Sequence, residues 1–331
     1  MLIPLLLLFY DVGNISGSTI PDNSTDMLSL LGFKEAITND PSGVLSNWNT
    51  SIHLCNWNGV WCSPKHPGRK MQVLNLSHNS LDGIIPDTLT NCSNLKELHL
   101  HTNFLNGAIP TQIGLLTNLV YLRLSYNNLT GFIPRSLGNI TFLHQIRIQA
   151  NQLGGSIPYE VGQFSNISVL VLAENRLSDT EGWKFLDALT NCTALEVLAL
   201  AENQLQGVIP NSIGSLPGTL QILILGGNKL SGIVPPSVGN LSRLIQLTLD
   251  ENSLTGTIGQ WIGNLKHLRS LYLRKNNFSG SIPFSIGNLT QLIELYLDNN
   301  AFDGRVPPFT GNSPLLLKLD LSYNSLQGTI P

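Results

Sequence analysis

From Met71 to the end of the chain, apolar and polar positions follow a fixed order that recurs about every 24 residues. The stretch LVYLRLSYNNLTGFIPRSLGNITF, Leu119 to Phe142, shows it in full: Leu119, Leu122 and Leu124, then Asn127, then Gly131 and Pro134. The closely spaced leucines predict a short strand. Leu122 and Leu124 point inward and the residues between them face the other side, because successive strand side chains alternate. One such unit buries too few apolar side chains to offset the entropy of ordering its backbone, so neighbours must stack into a solenoid. The repeat outweighs chain length as a guide to domain number. It predicts one elongated domain over residues 71–331, made of eleven repeats, the last incomplete.

The repeats begin at Met71, Leu95, Leu119, Leu143, Ile167, Leu195, Leu220, Leu244, Leu268, Leu292 and Leu316, and an asparagine follows in each, from Asn79 and Asn103 to Asn324. The strands are expected to stack as a parallel sheet. A buried amide carries donors and an acceptor, so this column can satisfy backbone groups freed where each strand bends and reads as structural.

Residues 19–70 are expected to close the amino-terminal end. Ser24 to Ile37 predicts a short amphipathic helix with Ser24 or Thr25 as N-cap and Met27, Leu30, Leu31 and Ile37 on its apolar side, stopped by Asp40-Pro41. Trp48, Trp57 and Trp61 then surround Cys55 and Cys62 in CNWNGVWC, so a helix, a tryptophan cluster and a local disulfide together make a lid. Cys92 and Cys192 occupy equivalent places in the first and fifth repeats. At ~4.8 Å per strand they lie roughly 20 Å apart, beyond the ~7 Å that a disulfide spans between Cα atoms, and are expected to be buried free thiols. Four cysteines so spaced do not suggest a zinc site. Ahead of the cap, the apolar run after Met1 predicts a secretory leader over residues 1–18. The run is too short for the ~20 residues of a membrane span.

One repeat departs from the pattern. After Asn175-Arg176-Leu177 the sequence SDTEGWKFLDALTNC replaces Gly-x-Ile-Pro. Ser178 and Glu181 suit a capping box, and Trp183, Phe185, Leu186 and Leu189 suit a short helix packed on the convex side. A smaller departure puts Gly259 where the eighth repeat should have proline.

Leu-x-Gly-x-Ile-Pro at Leu81–Pro86, Leu105–Pro110 and Leu129–Pro134, together with CNWNGVWC, resembles the plant leucine-rich-repeat receptor-like kinases, and the W-x-F-L island resembles the subfamily containing the immune receptors for flagellin and elongation factor Tu. The resemblance runs from Ser24 to Pro331. It implies an α/β solenoid: a right-handed leucine-rich-repeat superhelix with a concave parallel β-sheet and an N-terminal helical cap. It further implies an extracellular recognition module that binds a peptide or protein ligand on its concave face, in immune or developmental signalling, and recruits a co-receptor kinase ectodomain. H-R-D and D-F-G are missing and the chain stops at Ile330-Pro331 within a repeat, so a receptor fragment is expected, tied to a membrane only through a segment this chain lacks. The alternatives are a secreted inhibitor of a microbial wall-degrading enzyme and a truncated decoy receptor.

Composition narrows the chemistry. Apolar residues are 42% and charged residues 12%, net charge is −3, and no Lys/Arg run occurs, which argues against nucleic-acid binding. N-x-S/T sequons support the secretory reading; those selected for glycosylation are Asn49, Asn91, Asn128, Asn139, Asn166, Asn191, Asn240, Asn277 and Asn288, and Asn14, Asn23 and Asn75 also fit the pattern. No catalytic constellation and no cofactor motif is found. His99 and His101, with His78 one repeat away, suggest a metal site or an acid sensor as a minor alternative.

Function is therefore expected in the outward strand positions, which a curved sheet displays in register. The early repeats offer Tyr121, Arg123 and Arg147; the middle ones Val169, Val171, Val197, Ala199, Ile222 and Ile224; the later ones Thr248, Tyr272, Arg274 and Tyr296. An apolar window between a basic-aromatic end and an acid-leaning end suits an extended peptide, and at ~4.8 Å per repeat it would hold about four or five ligand residues.

Overall fold

The computed structural model describes residues 24–64, 70–179, 182–308 and 315–329. The predicted leader, Asn14, Asn23, Glu181 and the terminal Ile330-Pro331 lie outside the described residues.

The repeats form a leucine-rich-repeat solenoid. A sheet of twelve described strands runs its length, from Val60–Cys62 through Tyr121–Arg123 to Lys318–Asp320. Its first pair is antiparallel and the rest parallel and in register, so that Leu98, Leu122 and Ile146 stand side by side. Leu122 and Leu124 are fully buried, as the alternation requires, and their equivalents form one continuous core.

The asparagine column does what an amide can. Asn127 Oδ1 accepts the Leu105 N–H at 2.9 Å, and Nδ2 donates to the carbonyls of Leu100 and Leu124 at 3.0 and 3.1 Å. The residue before each asparagine is left-handed, including His78, Thr102, Tyr126 and Glu174 at φ 54°, 58°, 55° and 55°. That conformation costs a non-glycine residue roughly 1–2 kcal/mol. The amide's bonds to the preceding repeat hold it in place, together with the bond from the Tyr126 N–H to the Gln149 carbonyl of the next.

Beyond the asparagine, the chain forms second, shorter parallel sheets where the sequence suggested turns alone. Asp82–Ile84 pairs with Phe104–Asn106, and five strands from Gln206–Val208 to Ala301–Asp303 stack in order. Short 3-10 helices follow, most of them started by the proline of Ile-Pro, as at Pro134 before Arg135–Asn139, and one by Pro235 of Val-Pro. Gly259 takes that place before Gln260–Asn264. A Cβ there would meet the Trp261 ring, so the indole fills the space that proline fills elsewhere.

The cap differs in detail from the expectation. Helix α1, Ser24–Ala36, buries Asp26, Ser29, Leu30 and Phe33, while Met27, Leu31 and Ile37 are only partly buried. Asp26 and Ser29 belong on the inner face because Asp26 Oδ2 accepts the Met71 N–H at 3.2 Å and Ser29 Oγ donates to the Thr25 carbonyl at 2.8 Å. Phe33, Trp48 and Trp57 pack in sequence, with ring centroids 6.2 and 5.3 Å apart. Trp61 does not join them and is 53% exposed, since its strand turns the ring outward. Cys55 and Cys62 form a disulfide, and Cys92 and Cys192 are free and buried.

In the irregular repeat, helix α2, Lys184–Leu189, buries Phe185, Leu186 and Leu189, with Trp183 buried at its start. Asp179 Oδ2 accepts the Trp183 N–H at 2.7 Å. Ser178 instead extends the short sheet, its N–H donating to the Gly155 carbonyl at 2.9 Å. Asp179 therefore ties down the residue that begins α2, whose first turn has no side-chain cap, and Ser178 does not supply the one expected of it.

Candidate functional site

The outward strand positions form three zones along the concave face. At the basic end, Arg123 and Arg147 stand opposite each other across the strands Tyr121–Arg123 and Gln145–Arg147. Gln145 Oε1 accepts from both, at 2.9 Å from Arg123 Nη2 and 3.4 Å from Arg147 Nε. The Arg123 guanidinium lies 5.6 Å from the Tyr121 ring centre, and its buried Nε has no hydrogen-bond partner. Burial first, then the Arg123 charge, lowers the Arg147 pKa from its ordinary value. Beside the arginines, the rings of His78 and His101 meet edge to face at 4.8 Å, and His99 Nε2 lies 3.0 Å from Glu97 Oε2. His78, His101, Arg123, Tyr126, Arg147 and Gln149 line an open cavity of about 440 Å³. Two arginines sharing one neutral oxygen retain N–H donors for an anionic group. Among the described residues no group of three or more His, Cys, Asp or Glu side chains is arranged to hold a metal ion.

In the middle, Val169, Val171 and Ala199 form an apolar cluster separate from the main core, with Val197 and Ile224 packed against it. Ile222 is half-buried beside them, in register with Val197. The cluster is less open than the sequence suggested. Val169, Val171 and Ala199 are 8%, 9% and 6% exposed, because in-register neighbours cover one another across strands. What it presents is a shallow apolar floor, with Val197, Ile222 and Ile224 as its more accessible part.

At the far end, Thr248 accepts from Gln246 Nε2 at 3.1 Å, and Tyr272 and Tyr296 stack at 5.2 Å. Tyr272 donates its hydroxyl to Glu294. Arg274 Nε lies 3.5 Å from Asp250 and Lys275 Nζ 2.7 Å from Glu251. Burial raises the Asp250 pKa despite the opposing Arg274 charge. Charges at this end are thus largely matched, unlike those around Arg123. The nine selected sequon asparagines are all exposed.

Comparison with known proteins places these surfaces in context. Residues 23–63 match the leucine rich repeat N-terminal domain, and residues 70–92, 118–140, 194–216, 218–278 and 243–302 match leucine rich repeat families. The crystal structure of the Arabidopsis receptor kinase HAESA ectodomain, in complex with an N-terminally extended IDA peptide hormone, superposes with a TM-score of 0.79 at 36% identity, over 91% of this chain and 49% of that one. The Arabidopsis thaliana LRR receptor-like serine/threonine-protein kinase EFR is 38% identical over 78 residues, 23% of this chain and 7% of EFR. The chain belongs to the leucine-rich-repeat ectodomain family of plant receptor-like kinases. It spans less than half the length of either relative. The ectodomain is also similar to a plant ice-binding protein, with a TM-score of 0.74 at 25% identity over 92% of this chain and 96% of that one. The scaffold thus serves more than one purpose, and function has to be sought in its variable positions.

The apolar zone and the arginines stand in register positions that the repeat pattern marks as variable. Two features carried no sequence signal: the shared Gln145 oxygen, which depends on rotamers, and the left-handed residue before each asparagine, occupied by His, Thr, Tyr, Ala, Glu, Lys, Asn and once by Gly227.

Proposed function

We propose that this ectodomain is an extracellular recognition module of a plant receptor-like kinase and binds an extended peptide or protein ligand along its concave face. The observation that carries the reading is the apolar floor of Val169, Val171, Val197, Ala199 and Ile224, separate from the core and set between the Arg123–Arg147 pair and the tyrosine-acid end. Ligand side chains would settle on the floor, where apolar contact drives association. A ligand carboxylate would take the donors left free on the guanidiniums. The HAESA ectodomain is solved in complex with the peptide hormone IDA and the co-receptor SERK1, which supports a peptide ligand and a co-receptor here by analogy. Immune or developmental signalling is the role this reading implies, with anchorage supplied by other parts of the receptor.

The experiment is selection of a peptide from a random display library against the purified ectodomain, followed by titration of that peptide into variants. Val171→Asp and Ile224→Asp should each weaken binding about tenfold or more without unfolding the protein, because each sets a charge against an apolar contact. Unchanged affinity in both sinks the reading.

A further inference from the structure

A second charged surface lies away from the concave face, on the flank where each repeat enters its strand. Arg243, Lys266, His267 and Arg269, with Ile245 and Thr290, line an open cleft of about 520 Å³. The backbone ladder fixes their order: the Ile245 N–H donates to Gln221 and the Arg269 N–H to Ile245, both at 2.7 Å. Ile245 is half-buried and forms an aliphatic floor, while Arg243, Lys266, His267 and Arg269 are exposed. No acidic residue lines the cleft. No hydrogen bond or ion pair to another described residue engages these four side chains, whereas on the concave face of nearby repeats Arg274, Lys275 and Lys318 each lie against a carboxylate. The cleft holds unspent positive charge in a chain whose net charge is −3.

Sequence at the adjoining corner sharpens the contrast. The 3-10 helices Pro236–Asn240 and Phe284–Asn288 end on the sequons Asn240-Leu241-Ser242 and Asn288-Leu289-Thr290. Between them, Gln260–Asn264 ends on Asn264-Leu265-Lys266, so the middle repeat presents an amine where its neighbours present the hydroxyl of a sequon.

We infer that this cleft docks an acidic segment of a protein partner, independently of any ligand on the concave face. Arg243 and Arg269 lead into the adjoining strands Gln246–Thr248 and Ser270–Tyr272. With the cleft reaching Thr290 it extends roughly 10 Å at ~4.8 Å per strand, and carboxylates three residues apart in a polyproline-II segment share one face and are separated by about 9 Å at ~3.1 Å per residue. Guanidinium groups bind carboxylates through paired N–H donors, and the Ile245 floor accepts the aliphatic part of an intervening side chain. No Trp or Tyr lines the cleft to stack on a sugar ring, which favours a protein segment over an acidic polysaccharide.

The test is fluorescence anisotropy with two labelled peptides, one carrying Asp at positions three apart and its twin carrying Asn there. The Asp peptide should bind the ectodomain about tenfold or more tighter than the twin and lose affinity as salt rises. The double variant Lys266→Glu/Arg269→Glu should abolish the difference with an unchanged melting temperature, whereas Lys229→Glu, a cation outside the cleft, should leave it intact. Equal binding of the two peptides overturns the inference, as does an effect of Lys229→Glu as large as that of the double variant. Binding of oligogalacturonate that needs Lys266 and Arg269, with no binding of the Asp peptide, replaces it with a polysaccharide site. Val171→Asp should not alter Asp-peptide binding, which separates this result from that at the concave face.

Discussion

Asn127 Nδ2 donates to the Leu100 carbonyl of the preceding repeat at 3.0 Å, so a side chain in one coil completes the backbone of another. The same amide accepts the Leu105 N–H at 2.9 Å. Asn127→Leu has nearly the same volume but orphans buried groups on two repeats. Each orphan costs ~1–3 kcal/mol, so a loss of about 3–5 kcal/mol is expected in urea denaturation. A loss below ~1 kcal/mol would mean that water or a neighbour replaces the amide.

Two glycines separate packing from backbone freedom. A Cβ on Gly214 would run into the Ser237 backbone in the next repeat, whereas a Cβ on Gly218 meets nothing within 4 Å. Gly214→Ala should cost about 1–3 kcal/mol by forcing neighbouring coils apart. Gly218→Ala should be neutral or stabilise by up to ~1 kcal/mol, through the unfolded chain. Similar melting temperatures for the two variants would contradict the close stacking of the 3-10 helices.

The disulfide staples the cap over the end of the core. Its half-cystines are seven residues apart. By loop-closure entropy alone, Cys55→Ser/Cys62→Ser should cost about 2–3 kcal/mol, seen first as earlier proteolysis near Trp48 and Trp57. A variant that resists protease as well as the parent would show that the Phe33–Trp48–Trp57 stack holds the cap unaided.

The histidines at the basic end give the fold a pH dependence of known sign. Burial, foremost, lowers the pKa of His99 and of His101; nearby positive charge adds to this, from Arg123 at His99 and from His78, His99 and Arg123 at His101, while Glu97 opposes it at His99. A folded pKa below the unfolded value means that the unfolded chain takes up protons first. Stability should therefore be constant above about pH 6.5 and fall as pH drops through the folded values. His99→Gln/His101→Gln should flatten that fall in thermal melts between neutral and mildly acidic pH. An unchanged slope would assign it to other groups.

The repeat period, the inward leucines and the asparagine column were legible because each follows from strand alternation or amide chemistry acting on every repeat alike. Phe33 was passed over because Asp26 and Ser29, polar yet buried, hide the true inner face of α1. The second sheets escaped notice because Leu-x-Gly-x-Ile-Pro reads locally as a turn, and only stacking supplies the partner strands. At the candidate site, the positions of Val169, Val171 and Ala199 were legible but their mutual burial was not, since it depends on contacts across strands. The flank cleft was missed because Arg243, Lys266, His267 and Arg269 are interleaved with Leu244, Leu265 and Leu268, and read along the chain they form no basic run.

Methyl-labelled NMR during titration of a display-selected peptide tests recognition on the concave face most directly. The account predicts that the methyl signals of Val169, Val171, Val197, Ile222 and Ile224 shift with saturating peptide, while those of Val238 and Ile286, buried on the 3-10 helix side, stay in place. Shifts confined to Val238 and Ile286, or saturable binding that leaves the five concave-face residues unmoved, would contradict it.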